Sequence, residues 1–290
     1  MTAYLTKASH GKSRHGAEQI EIMRKTPAVI KSLADSDKLV WRMIRREIAG
    51  RYRGSILGFG WALLVPLLML SVFTFVFSVV FQVRWDAEIE GRGQFALLLF
   101  AGLIVYQYFA ECLSRAPNLM LDNVSYIKKV VFPLESLAWV VAGTAGFTFA
   151  MNTLMLLAGH FLLAGPPPLT ALLLPVVIIP FILGVTGVVW VVSAAGVFLR
   201  DLQQVVSIVT TLAMFLSPIF YPIDAVPERF QVFLMLNPLA YVIETVRGLL
   251  IYGQLPGLVG LVLYTIGGWL MASAGLWFFL RTRKAFADVV

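Results

Sequence analysis

Charged side chains are scarce in this chain of 290 residues: Asp, Glu, Lys and Arg together make up 13%, about half of the roughly 25% usual for soluble domains. With 59% hydrophobic residues and a mean hydropathy of +0.83, that deficit excludes an ordinary soluble domain and leaves an integral membrane protein. Cysteine occurs once, as Cys112, so no intrachain disulfide can form. No HExxH, GxSxG or Cys/His cluster is present, which argues against a metal centre and nucleophilic catalysis. The interiors of the apolar runs lack ionisable residues, apart from Glu111 near the inner end of the second; His160, near the outer end of the third, reads as interfacial. Proton relays and intramembrane enzymes need such residues, so both are disfavoured. A phosphate-binding loop is missing as well. Gly11, Lys12 and Ser13 mimic its end, but Thr6 stands where the first glycine belongs and no strand or apolar helix flanks it. Energy for uphill transport must then arrive from another polypeptide.

What the chain does have is long uncharged runs, at residues 54–83, 93–110, 136–199, 202–223 and 248–280. About 20 apolar residues cross a bilayer, so the third run is too long for one helix, and Gly165-Pro166-Pro167-Pro168 divides it. The fold class expected is all-α integral membrane, with six transmembrane helices near 57–81, 95–112, 134–163, 172–198, 205–220 and 255–280. An amphipathic interface helix precedes them and a re-entrant helix pair separates the fifth from the sixth. Three regions follow: a cytoplasmic N-terminal region (1–54), the transmembrane domain (55–280) and a cytoplasmic tail (281–290).

The net charge of +7 is distributed by topology. With the N-terminus in the cytoplasm, only Arg84, Arg92, Arg229 and Arg247 of the 23 lysines and arginines fall outside. This is the positive-inside asymmetry, and it puts both termini in the cytoplasm. The basic excess is accounted for without nucleic acid. Residues 1–53 are polar and basic and lead into a run with no short h-region and cleavage site, so a cleavable signal is not expected. Within 1–34, Thr26 and Pro27 read as the N-cap and N1 of a short helix. From Asp35 or Ser36 a helix is expected with Trp41, Ile44, Ile48 and Tyr52 on one face and Arg42, Arg45, Arg46 and Arg53 largely on the other. Such a basic amphipathic helix lies in the membrane interface; a simple topology anchor fits the same pattern.

At the entry to the first span, Gly54 and Gly58 make a GxxxG, the spacing at which helices pack closely. Ser71, Thr74 and Ser78 recur at i, i+3 and i+7, and Phe73, Phe77 and Phe81 at every fourth position. They line a path for a hydroxylated substrate or, alternatively, present phenyl rings to lipid. Residues 114–133 form a polar cytoplasmic segment in which Asn118, Asp122 and Asn123 are expected to cap a short helix, followed by Lys128 and Lys129. The third span carries Thr144, Thr148 and Asn152 at i, i+4 and i+8. The fourth contains Pro175 and Pro180, which predict a kink; the fifth carries Thr210, Thr211 and Ser217. Beyond it the chain is apolar yet broken by Pro218, Pro222, Pro227 and Pro238, and the uncharged piece 230–243 is too short to span. Two short re-entrant helices turning at Asn237 and Pro238 fit that length. Irregular backbone at such depth has to be buried in protein or face a water-filled cavity, which points to a gate. Glu244 and Arg247, at i and i+3, are expected to pair, either structurally or as a substrate site.

The stretches RREIAGRYRGSILGFGWALLVPLLML, NVSYIKKVVFPLE, FLRDLQQVV, FLSPIFYP and LNPLAYVIETVRGLLIYG together resemble the permease subunit of type-2 ABC exporters, in the branch that exports lipid-linked polysaccharide, O-antigen and teichoic acid. The resemblance runs from Leu39 to the C-terminus and does not explain residues 1–34. It implies a homodimer of six-helix subunits in the bacterial inner membrane, each docked on one of two copies of a separate ABC ATPase. ATP and Mg belong to that partner and no cofactor to this chain. It implies ATPase contacts at residues 40–53 and 118–131, hence Asn118, Asp122, Asn123, Tyr126, Lys128 and Lys129, and an outer gate at 222–247, hence Tyr221, Asn237, Pro238, Glu244 and Arg247. The substrate implied is a polyprenyl-pyrophosphate glycan entering from the cytoplasmic leaflet. Arg51 and Arg53 suit its pyrophosphate, because guanidinium forks hold phosphate oxygens through charge-assisted, often bidentate bonds. A neutral sugar polymer then needs a hydroxyl and aromatic lining, for which Ser71, Phe73, Thr74, Phe77, Ser78, Thr144, Thr148, Asn152, Thr210 and Ser217 are the candidates. The alternatives are an ABC exporter of a different lipid-like or drug substrate, a secondary transporter, or a glycan-modifying membrane enzyme using Asp224, Glu228 or His160.

Overall fold

The apolar runs fold as helices, and among the described residues no strand accompanies them. The computed structural model describes residues 37–76, 94–127 and 132–286, so the expectations for residues 1–34 and for the loop at 84–92 lie outside it. Among the described residues, nine α-helices longer than one turn run in order: α1 (Asp37–Tyr52), α2 (Trp61–Phe73), α3 (Gln94–Arg115), α4 (Ser136–Leu163), α5 (Leu174–Gly196), α6 (Leu202–Leu216), α7 (Glu228–Met235), α8 (Pro238–Arg247) and α9 (Leu258–Thr282). Among the described residues, five stretches are long and apolar enough to cross a bilayer: Gly58–Val76, Gln94–Arg115, Ser136–Leu163, Leu169–Gly196 and Leu258–Ala285. The α7–α8 pair, bent by 94°, makes a sixth if it is counted as one. Helix α6 has 15 residues, about 22 Å at roughly 1.5 Å per residue.

Helix α3 lies at the centre. Every residue from 95 to 105 is buried, as suits a helix that is apolar on all sides, and α2, α4, α5, α6 and α8 all pack on it. Helix α4 carries α1 and α2 in notches left by glycine. A Cβ at Gly143 would collide with Ile44 of α1, and one at Gly159 would stand 2.5 Å from Leu70 Cδ2 of α2. The face of α1 that meets α4 is therefore Val40 and Ile44, with Met43 and Ile48 half-buried. Trp41, expected on that face, is 60% exposed; it sits about 100° around the helix from Val40.

Gly54 and Gly58, read as a helix-packing motif, are not in a helix contact. Their φ angles are +83° and +50°, and nothing lies within 4 Å of a Cβ built on either. They form the break between α1 and α2, where left-handed backbone is required and glycine adopts it without a steric penalty. Close helix packing of the kind expected there occurs between α5 and α9, the most extensively packed pair. A Cβ at Gly187 would lie 2.6 Å from the carbonyl carbon of Met271, and one at Gly268 would lie 2.5 Å from the Pro180 carbonyl oxygen. In a bilayer, where lipid competes equally for apolar surface, such backbone-to-backbone contact is what holds helices together. Pro175, expected in the helix interior, stands in the first turn of α5, where a missing N–H is harmless, so Pro180 alone is left to bend it.

Candidate functional site

Polar side chains gather at the two ends of α3. At its C-terminal end, Glu111 and Arg115 reach back to α1: Arg51 Nη2 donates to Glu111 Oε1 at 2.6 Å, and Arg115 Nη2 donates to Glu47 Oε1. Arg51 Nη1 also donates to Thr148 Oγ1 of α4 at 3.1 Å. Partial burial works against the charged form of Arg51, but the hydrogen bond and charge of Glu111 outweigh it and raise its pKa above the ordinary arginine value. One turn along the same seam, Asn152 Nδ2 donates to Gln107 Oε1 at 3.0 Å. Arg53 is exposed beside this cluster in sequence and shares none of these bonds.

The segment after α3 is built against the same end of the molecule. A Cβ at Gly196 would overlap the backbone of Pro117, which fixes the loop under α5. Asn118 Nδ2 donates to Gln203 Oε1 and Gln203 Nε2 to the Ser114 carbonyl, both at 3.3 Å. Arg46 Nη2 lies 3.3 Å from the Tyr126 hydroxyl, and the Tyr126 ring stacks on Phe132 at 4.4 Å. The expected capping by Asn118, Asp122 and Asn123 does not occur: the turn at Leu121–Asn123 has no side-chain cap, and Asn123 Nδ2 donates instead to the Leu119 carbonyl at 2.9 Å. Asp122 is exposed. Lys128 and Lys129 lie outside the described residues.

At the other end, Arg247 is 1% exposed and its guanidinium is surrounded by oxygen. Nε donates to the Leu98 carbonyl (2.9 Å), Nη1 to the Pro218 carbonyl (2.6 Å) and Glu244 Oε1 (2.8 Å), and Nη2 to the Ile219 carbonyl (2.8 Å). Asn237 caps α8 by accepting from Leu239 N at 3.0 Å, while its Nδ2 donates to the Leu216 carbonyl (3.2 Å) and Ser217 Oγ (3.1 Å). Pro238 follows in the first turn, preset for the helix. The Tyr221 hydroxyl donates to the Phe215 carbonyl at 3.0 Å. These three side chains satisfy the carbonyls that the end of α6 and the irregular residues beyond it leave unpaired. The expected Glu244–Arg247 pair forms, and the guanidinium also donates to three backbone carbonyls.

The hydroxyls of the lining candidates mostly turn back on their own helices. Ser71 donates to the Leu67 carbonyl, Thr74 to Leu70, Thr144 to Val140, and Thr210 to Val206, at 2.8 to 2.9 Å. Thr144, Asn152, Thr210 and Ser217 are buried within the single chain, whereas Ser71 is exposed and Phe73 half-buried. Phe77 and Ser78 lie outside the described residues. Hydrogen bonds thus bring together Arg51 with Thr148 and Ser217 with Asn237, on two separate seams. An apolar cavity of about 760 Å³ lies between α5, α9 and the turn joining α7 to α8, lined by Phe109, Phe181, Leu236, Leu239, Tyr241 and Tyr264 among others. His160 Nδ1 lies 3.0 Å from the Gly165 carbonyl just past α4, a local role in keeping with an interfacial residue. No group of three His, Cys, Asp or Glu side chains among the described residues could hold a metal ion.

Sequence reasoning missed Glu47, Gln107, Arg115 and Gln203 as partners. The available signal was spacing: 107 and 111 on α3, and 148 and 152 on α4, each repeat at i and i+4, so two polar rungs align once the helices pack.

Comparison with known proteins fits this architecture. The chain is 28% identical over 246 residues to the O-antigen export system permease protein RfbA of Klebsiella pneumoniae, covering 84% of this chain and 92% of that one. It is 25% identical over 264 residues to the O-antigen export system permease protein RfbA of Myxococcus xanthus, covering 90% and 99%. The polysialic acid transport protein KpsM of Escherichia coli is 24% identical over 208 residues, covering 70% and 77%. The family model for ABC-2 type transporters matches residues 38–251, from the second residue of α1 to just past α8, and this multi-pass membrane protein belongs to the ABC-2 type transporter family.

Proposed function

We propose that this chain is the permease subunit of an ATP-driven exporter that moves a lipid-linked polysaccharide, of O-antigen, capsule or teichoic acid type, out of the cytoplasm across the bacterial inner membrane. The observation that carries this reading is that relatives matched over nearly their whole length are named for O-antigen export. The chain itself performs no chemistry. It carries no cofactor, and ATP with its Mg is bound and hydrolysed on a separate ABC ATPase.

In this reading two copies of the chain dock on two copies of the ATPase, with both termini cytoplasmic. Helix α1 lies in the inner interface, clamped to α3 by Glu47–Arg115 and Arg51–Glu111. Together with the segment at 118–131 it receives the stroke of the ATPase, with Asn118, Asp122, Asn123, Tyr126, Lys128 and Lys129 as the contact residues. Arg46 and Tyr126 link the two elements directly, so that they move as one lever. Helix α6, extended by the residues after Leu216, is the fifth of six spans, and α7 with α8 is a re-entrant pair that closes the outer end through Tyr221, Asn237, Pro238, Glu244 and Arg247. Arg51 and Arg53 hold the pyrophosphate. The polymer passes between the two copies, along Ser71, Phe73, Thr74, Phe77, Ser78 and the polar residues of α4 and α6.

Two measurements test this. Affinity purification of the tagged chain from its native membrane is expected to bring an ABC ATPase with it. Replacing both Arg51 and Arg53 by alanine is expected to preserve that complex while lipid-linked glycan accumulates on the cytoplasmic face. Transport without any ATPase in the complex contradicts the exporter reading, and normal export by the double variant removes the arginines from it.

A further inference from the structure

Arg51 is the point where α1, α3 and α4 meet, and its fork is only half used by charge. A guanidinium gains most when both terminal nitrogens face one carboxylate or phosphate. Here Nη2 has a single oxygen of Glu111, and Nη1 has the neutral hydroxyl of Thr148. Among the described residues that hydroxyl donates to no acceptor, so its proton remains available to an incoming oxygen. The Arg51 and Glu111 side chains are 37% and 21% exposed, and a solvent-accessible ion pair of this kind is weak and easily exchanged. The site is therefore reachable, holds a cation, and is filled by a carboxylate that makes one bond where two are available.

We infer that Glu111 is a placeholder. In the empty transporter its carboxylate occupies the position that a phosphate oxygen of the lipid-linked substrate takes, and it swings aside when that phosphate binds across Arg51 Nη1, Nη2 and Thr148 Oγ1. The inference rests on the reading of Arg51 as the pyrophosphate-binding residue and adds to it a selectivity and a release step. Glu111 carries one negative charge, and so does the phosphodiester of an ordinary phospholipid headgroup. Exchanging one for the other gains no Coulomb energy, and the bilayer's own lipids leave the pair closed. A pyrophosphate diester carries two charges and enough oxygens to engage both nitrogens and the hydroxyl, so it wins the exchange. Specificity here comes from an intramolecular competitor as much as from attraction. When the substrate moves on, the carboxylate returns to Arg51 and removes the cation that would recapture it.

The test uses the assembled complex with its ATPase in phosphatidylcholine nanodiscs, farnesyl pyrophosphate as the probe, and a second set of nanodiscs containing phosphatidylglycerol as the competing headgroup. Glu111→Gln removes the charge and keeps the shape. It is expected to bind the probe about tenfold more tightly, to let phosphatidylglycerol compete where the wild type does not, and to lower the maximal probe-stimulated ATPase rate because release slows. Thr148→Val is expected to weaken probe binding severalfold with the Arg51–Glu111 pair intact. Wild-type affinity in Glu111→Gln, alongside lost binding in Arg51→Ala, overturns the placeholder and leaves Arg51 as the phosphate ligand. Wild-type affinity in both variants removes Arg51 itself, and the placeholder with it. Phosphatidylglycerol that competes equally in the wild type shows a headgroup site and overturns the selectivity. Should Glu111→Gln fail to assemble, Glu111→Asp, whose shorter side chain loses the contact, carries the same expectation of tighter binding, and unchanged affinity there is equally decisive against it.

Discussion

At the scale of single residues, the ionisable groups of this protein act by what they are bonded to. Arg247 is the sharpest case. Read alone at i+3 from Glu244 it is half of a helix-surface pair, which contributes only a few tenths of a kcal/mol. In the fold it is buried and reaches three backbone carbonyls from two other segments. Arg247→Met keeps the length and apolar volume but leaves those carbonyls without their donor, so a loss of about 3–5 kcal/mol is expected, read as a lowered unfolding temperature in detergent. Glu244→Gln, whose side chain is 38% exposed, is expected to cost less than about 1 kcal/mol. Equal effects from the two would show that the ion pair, and not the carbonyl cage, is what matters. The sequence showed where Arg247 stood; its partners are 28 to 149 positions away and no local pattern names them.

At the scale of elements, the glycines divide by neighbour. Adjacent residues Gly267 and Gly268 on α9 make the contrast clean: nothing lies within 4 Å of a Cβ at Gly267, while one at Gly268 meets the Pro180 carbonyl. The obstacle is backbone and cannot rotate away. Gly268→Ala is expected to destabilise the α5–α9 pair by about 1–3 kcal/mol, as overpacking does, and Gly267→Ala to be neutral or slightly stabilising through helix propensity. Thermal unfolding of the two variants side by side checks this, and a tolerated Gly268→Ala would place the α5–α9 contact elsewhere. The same comparison explains why the GxxxG at Gly54 and Gly58 misled. A spacing of four marks one helix face only if the residues are helical, and both have left-handed φ angles. Hydrophobic length, by contrast, was readable: the runs at 95–112 and 134–163 fold as Gln94–Arg115 and Ser136–Leu163.

At the scale of the whole molecule, the proposed topology turns on α6 and on the bent pair. If α6 crosses and α7 with α8 re-enters, residue 228 is outside; if α6 stays on the inner side and the bent pair crosses, residue 228 is inside. Cys112 is fully buried, so the natural chain is a quiet background for thiol labelling. Glu228→Cys is expected to react with an impermeant maleimide on intact cells stripped of their outer membrane, and Lys284→Cys only after the inner membrane is opened. Labelling of Glu228→Cys only after opening would assign the crossing to α7 and α8. The sequence alone determined that this is an all-helical membrane protein with about six apolar segments and a proline-broken stretch before the last, because hydrophobic length and charge placement are local properties set by the thickness of the bilayer. Only the tertiary structure decided which polar residues meet. Arg51 with Glu111 and Thr148, Gln107 with Asn152, and Arg247 with Leu98, Pro218 and Ile219 join residues far apart in the chain, and their pairing depends on helix rotation, which packing sets and hydropathy leaves open.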